Sequence, residues 1–170
     1  MKYLIFIIFF FLITYNLKAE TIGTINFQKI YAESLSFNNF IDEINVFKEE
    51  KLKIFTTLEN NLKKEKEKLE SFKLILSNDE YIKKVKLYEK NIQNYKKEVD
   101  LVNNEIYQKI EKGKNFIKND VINIVQKLAV DQNISIIFDA NDYVIAINDI
   151  DLTKQVIEIL NANLNNIEFK

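Results

Sequence analysis

The chain has 170 residues, with 24 lysines and no arginine set against 25 acidic residues, and it contains no His, Cys or Pro and only two glycines. Without His or Cys the usual nucleophile–base pairs and zinc sites are excluded, and no Gly-rich phosphate loop exists, so neither an enzyme nor a bound cofactor or metal is expected. What remains is a chain suited to long uninterrupted helices, because the residues that break them are almost missing.

Residues 1–19 read as a secretory signal peptide. Lys2 supplies the positive start, Tyr3 to Ile13 is a continuous apolar run, and the tail ends in Ala19, where cleavage is expected. A retained anchor is the alternative, but a run of this length is short for a membrane span. An exported chain without Cys gains nothing from disulfides in a compartment that permits them.

Ile22 to Phe27 has the alternation of a short strand, with Ile25 and Phe27 on one face. A helical turn from Gln28 to Ser34 follows. From about Phe40 to Leu128 a helical hairpin is expected, with a seam of apolar residues at steps of three and four: Ile44, Phe47, Ile54, Leu58, Leu62, Leu69, Phe72, Leu76. Lys51 and Glu65 interrupt that seam. The series resumes as Val85, Tyr88, Ile92, Tyr95, Val99, Val102 and Ile106, then Gly113 and Phe116. Ser77 followed by Glu80 has the form of a capping box, so a second helix starts there and the chain reverses near residues 77–79. Residues 44–118 form the arm in this reading.

Residues 20–43 and 119–170 form the body. Ile134 to Phe138 and Tyr143 to Ile147 are β-branched runs, apolar on both faces, joined by Asp139-Ala140-Asn141-Asp142 as a hairpin connection. The acids Asp139, Asp142, Asp149 and Asp151 lack the glycine and closing Glu of a calcium loop and are read as turn and cap chemistry. Asp151 or Thr153 caps a last helix that turns Val156, Ile157, Leu160 and Leu164 inward. Strands apolar on both faces leave edges that one small body cannot cover, which points to self-association through Ile25, Phe27, Ile136, Phe138, Ile145 and Ile147.

Charge is unevenly spread. Lys48 to Lys118 holds 18 lysines against 13 acids, whereas the rest of residues 20–170 holds 4 lysines against 12 acids, so basic arms project from an acidic body. Interleaved with those lysines are apolar residues beside the seam. Near the tip, Leu74, Ile75, Ile82 and Leu87 with Lys83, Lys84 and Lys86 are the candidate contacts for an apolar, acidic partner. Nucleic acid is disfavoured as that partner by the export signal and by the acids along each arm.

Two terminal segments carry a resemblance. Ile25-Asn26-Phe27-Gln28-Lys29-Ile30-Tyr31-Ala32-Glu33-Ser34 at one end, and Ile136-Ile137-Phe138-Asp139 through Asp151-Leu152-Thr153-Lys154-Gln155-Val156-Ile157 to Leu160-Asn161 at the other, resemble the terminal motifs of the Skp/OmpH family of periplasmic chaperones. In that family too they flank a long charged hairpin. The resemblance implies an α+β fold in which a small β-rich body joins three chains and three coiled-coil arms enclose a cavity. It implies an ATP-independent periplasmic holdase for unfolded outer-membrane β-barrel proteins, with a membrane surface as a further candidate partner. A structural coiled coil of the envelope without chaperone activity is the competing expectation.

Overall fold

The computed structural model describes residues 21–163 and Ile167. The expected signal segment and Leu164 lie outside the described residues. Strand β1 (Thr21–Ile25) leads through Asn26 into helix α1 (Phe27–Glu33), and two long helices follow, α2 (Leu35–Phe72) and α3 (Asn78–Asp131). Strand β2 (Ile134–Asp139), two single 3-10 turns (Ala140–Asp142 and Asn148–Ile150) and helix α4 (Thr153–Ala162) complete the chain.

The two strands pair in parallel, Ile22 with Ile136 through Ile25 with Asp139. Parallel neighbours need a crossover. Here that crossover is the whole hairpin, so the arm is an insertion between two adjacent strands. Asn133, in the left-handed region at φ 54°, turns the chain from α3 into β2, a conformation that Asn tolerates better than most residues.

Each junction in the body is closed by a side chain of small reach. Asn26 accepts from the Lys29 N–H at 2.9 Å and so caps α1, while its own N–H donates to Thr153 Oγ1 at 2.9 Å. Ser34, fully buried between α1 and α2, accepts from the Phe37 N–H at 3.3 Å. The Asn161 amide clamps that same kink, accepting from the Leu35 N–H at 2.9 Å and donating to the Glu33 carbonyl at 3.0 Å. Asp151, one residue ahead of the cap position Leu152, accepts from the first N–H of α4, that of Thr153, at 2.9 Å. The core beneath is aliphatic and aromatic: Ile30, Phe37, Phe40, Ile44, Ile117, Val121, Leu128, Val156 and Leu160 are all buried in one cluster.

Three local expectations are corrected. Tyr143 to Ile147 is not a strand within the single chain; it runs between the two 3-10 turns without ladder partners. Its β-branched residues suit a strand, but Ala140–Asp142 after β2 is a 3-10 turn instead of a tight hairpin, and the far side of β1 is taken by a parallel bridge from Thr24 to Asp151. The reversal begins earlier than residues 77–79, because α2 ends at Phe72 and Lys73–Leu76 form the turn. Finally, the seam is displaced by one residue at two places: Ile54 is 47% exposed and Phe55 takes its position, and Phe116 is exposed while Ile117 is buried. From Ile44 the seam steps to Phe47, Lys51 and Phe55, an eleven-residue unit ahead of the heptads, which locally unwinds a coiled coil.

Candidate functional site

The candidate site is the surface of the arm, and its geometry follows from how two helices alone can bury a seam. Where the arm joins the body the packing is tight. Phe40 of α2 lies against the bare backbone of Gly113 in α3, where an added Cβ would stand 2.5 Å from Phe40 Cε1. Next to it the Tyr31 hydroxyl donates to the Lys114 carbonyl at 3.4 Å, and burial pushes its pKa up, with the charge of Lys114 opposing. Lys114 in turn holds Glu111 at 3.0 Å, and that hydrogen bond raises the lysine. Asp139, whose other oxygen accepts from Asn141 at 3.2 Å, leaves Oδ1 buried without a hydrogen-bond partner among the described residues.

Further out the seam is only half-buried and partly polar. Both expected interruptions have a local explanation. Lys51 folds its ammonium over the Phe47 ring, 5.3 Å from the centroid, so the chain of methylenes packs while the charge stays wet. Glu65 accepts from Asn91 Nδ2 with both oxygens, at 3.2 and 3.1 Å, a polar link across the two helices. One turn away, Tyr95 stacks edge-on against Phe55 at 6.1 Å and its hydroxyl donates to Glu59, a bond that raises the phenol's pKa. Between these links a cavity of about 250 Å³ opens beside Leu58, Leu62 and Tyr95.

At the tip the expected capping box is formed. The Glu80 N–H donates to Ser77 Oγ at 3.4 Å, while the Ser77 hydroxyl and N–H donate to Glu80 Oε2 at 2.7 and 3.3 Å. The hydroxyl bond is the larger cause of a carboxyl held below its ordinary value, the backbone bond the next. Leu74 and Ile75 stand in the turn, 91% and 76% exposed. Ile82 and Leu87 are exposed on the first turns of α3, and so are Lys83, Lys84 and Lys86. Lys84 leans over the Phe72 ring at 5.0 Å. The seven candidate contacts are thus gathered at one end of the arm.

The six candidate association residues are divided. Ile25 belongs to the chain's own core and Phe27 packs half-buried against it. Ile136 and Phe138 on β2 are exposed, and Ile145 and Ile147 more so, at 88% and 67%. Val144, fully exposed between Tyr143 and Ile145, was not singled out by sequence, although the run from Tyr143 to Ile147 has no charged residue. The Glu65–Asn91 link was missed as well. A charged residue at a seam position is the signal that could have prompted a search for its partner on the facing helix.

The fold therefore defines a class: a small α+β body from which a two-helix arm projects, with apolar side chains left on the arm's outer faces. The chain belongs to the family described as outer membrane protein (OmpH-like), which it matches over residues 21–160. Among solved structures it is similar to a protein of Caulobacter crescentus CB15 proposed to be an outer membrane chaperone (OmpH-like), with a TM-score of 0.77 and 15% identity. That similarity covers 92% of this chain and 93% of the other. No curated protein matches the chain.

Proposed function

We propose that this protein is an ATP-independent holdase of the periplasm, which keeps unfolded outer-membrane β-barrel proteins soluble before their insertion. The observation that carries the reading is the arm: a basic two-helix projection whose surplus apolar residues, Leu74 and Ile75 above all, are exposed where its own seam cannot bury them. Family membership supports it, and so does the fold shared with a protein proposed to be an outer membrane chaperone. Many weak apolar contacts hold a chain without folding it and let it leave without a nucleotide-driven step. Lysines along the arm attract acidic segments over about a Debye length, roughly 8 Å at physiological salt.

The working form is an assembly of three chains, the number following from the family resemblance. Supporting it, β2 pairs with β1 alone among the described residues, and Ile136 and Phe138 on that strand and Val144, Ile145 and Ile147 after it leave apolar side chains exposed. A neighbouring chain covers such an edge, and Tyr143 to Ile147 becomes a strand there. The test is whether purified protein, without ATP, prevents a denatured porin from aggregating on dilution. Suppression at near-stoichiometric amounts is expected; a protein acting only as an envelope spacer would leave the porin aggregating.

A further inference from the structure

The exposed apolar residues of α3 are not scattered along it evenly. Leu87, Leu101 and Phe116 are all exposed, and each immediately precedes a residue of the seam: Tyr88, Val102 and Ile117. They share one line along the helix, on the flank of the seam. The steps are 14 and 15 residues, about 21 and 22.5 Å at the helical rise, and Val130 lies a further 14 on. Midway positions on the same line, Asn94 and Asn123, are polar and exposed. Ile82, Tyr107 and Ile122 stand on a different arc, roughly 120° round the helix.

We propose that this line is a ladder of anchor points for an extended, non-native polypeptide, each rung taking one apolar side chain. The inference rests on the holdase reading and gives it a site. A second helix is a poor occupant, because helix pairing needs an apolar residue every three or four positions, not every fourteen. A folded surface is equally poor, since the rungs are too far apart to form one patch. An extended chain fits. At about 3.3 Å per residue the 15-residue step spans nearly seven residues, but each 14-residue step spans roughly six, an even number, so the rungs at its ends meet side chains of the same face of a strand. In a sequence destined for a membrane barrel, that is the apolar face. A barrel strand of about 9–11 residues reaches two rungs at once, and the second contact is strengthened by the first through effective concentration.

The experiment follows release of a fluorescently labelled, denatured porin from the full chain after dilution. With Leu87→Ser, Leu101→Ser and Phe116→Ser combined, release should be about tenfold faster while helix content and assembly mass stay unchanged. A second variant, Leu101→Asn with Asn104→Leu, keeps the apolar content but moves the middle rung off the line, and it should also release faster than the unaltered protein. If the moved rung holds the porin as well as the original, or if both variants release at the original rate, the ladder is overturned and the holdase reading stands. A triple variant that loses assembly mass would instead make this face an interface between copies and overturn the ladder too. Should the unaltered protein fail to hold porin at all, the holdase reading itself falls.

Discussion

The base of the arm and its outer half are built from the same two helices, yet they are different kinds of structure. Around Phe40, Gly113, Ile117 and Val121 the helices have a third layer, with α1 and α4 packed on them, and side chains there vanish from the surface. Beyond about Phe47 there are only two helices, and within that outer stretch Leu69 and Val102 alone are buried apolar residues. A two-helix ribbon cannot enclose a core; it has a seam with two wet edges. Stability there comes from local turns, caps and side-chain pairs, which places the outer arm at the low end of the molecule's local stabilities. The difference teaches that a deformable, sticky surface needs no special device: it is what remains when a hairpin outruns its body.

The contrast can be broken from either side. The largest effect is expected in the body's exposed run. Ile145→Asp places an unpaired carboxylate in the proposed interface, at more than about 2 kcal/mol per chain, so the mass in solution should fall to that of one chain while each arm stays helical. Next, Phe40→Ala should cost about 3–5 kcal/mol in denaturant unfolding, whereas Phe55→Ala in the outer seam should cost about 1–2 kcal/mol because its ring is only partly removed from water. Equal losses at the two positions would erase the distinction between core and ribbon.

Gly113→Ala sharpens the same boundary. The added methyl would strike the Phe40 ring, and overpacking of about 1–3 kcal/mol is expected, with the double variant Gly113→Ala, Phe40→Leu recovering part of it. On the ribbon, Lys83→Glu, Lys84→Glu and Lys86→Glu together should leave stability nearly unchanged but slow porin capture at low salt and flatten its salt dependence in stopped flow. The smallest effect concerns Glu80. Its carboxyl is held below the ordinary 4.5, so the cap contributes at neutral pH and is lost only as pH falls below that value through the lowered one. Protection of the amides at the start of α3, measured relative to their intrinsic exchange rates, should therefore fall below about pH 4.5 and stay level between pH 6 and 8, and Glu80→Gln should remove the acid step.

Much of this was legible from sequence because it is local. The hairpin follows from three-and-four spacing, and the tip cap from Ser77 and Glu80, residues that bond to each other. The parallel pairing of β1 with β2 was not legible, since nothing in Ile22 to Ile25 indicates a partner more than a hundred residues on. Tyr143 to Ile147 was misread for a related reason: β-branched residues announce that a strand is tolerated, not that one forms, and the connection ahead of them is a 3-10 turn, Ala140–Asp142, instead of a tight hairpin. Ile54 and Phe55 were both apolar candidates for one seam position, and the choice depended on the eleven-residue unit ahead of them. At the candidate site, the exposure of Leu74 and Ile75 could be anticipated from their place beside the seam, but the Glu65–Asn91 link needed the facing helix.

The insertion of the arm between β1 and β2 also sets an order of events for the chain as it folds. β1 cannot find β2 until residues 26–133 have been drawn in, and closing so long a loop by chance is slow. The hairpin shortens that search, because its contacts can zip from the Ser77 turn inward and deliver the two strands side by side. A lesion at the far tip, such as Ser77→Ala, should then delay the appearance of the sheet in a refolding experiment, although not one atom of the tip touches it.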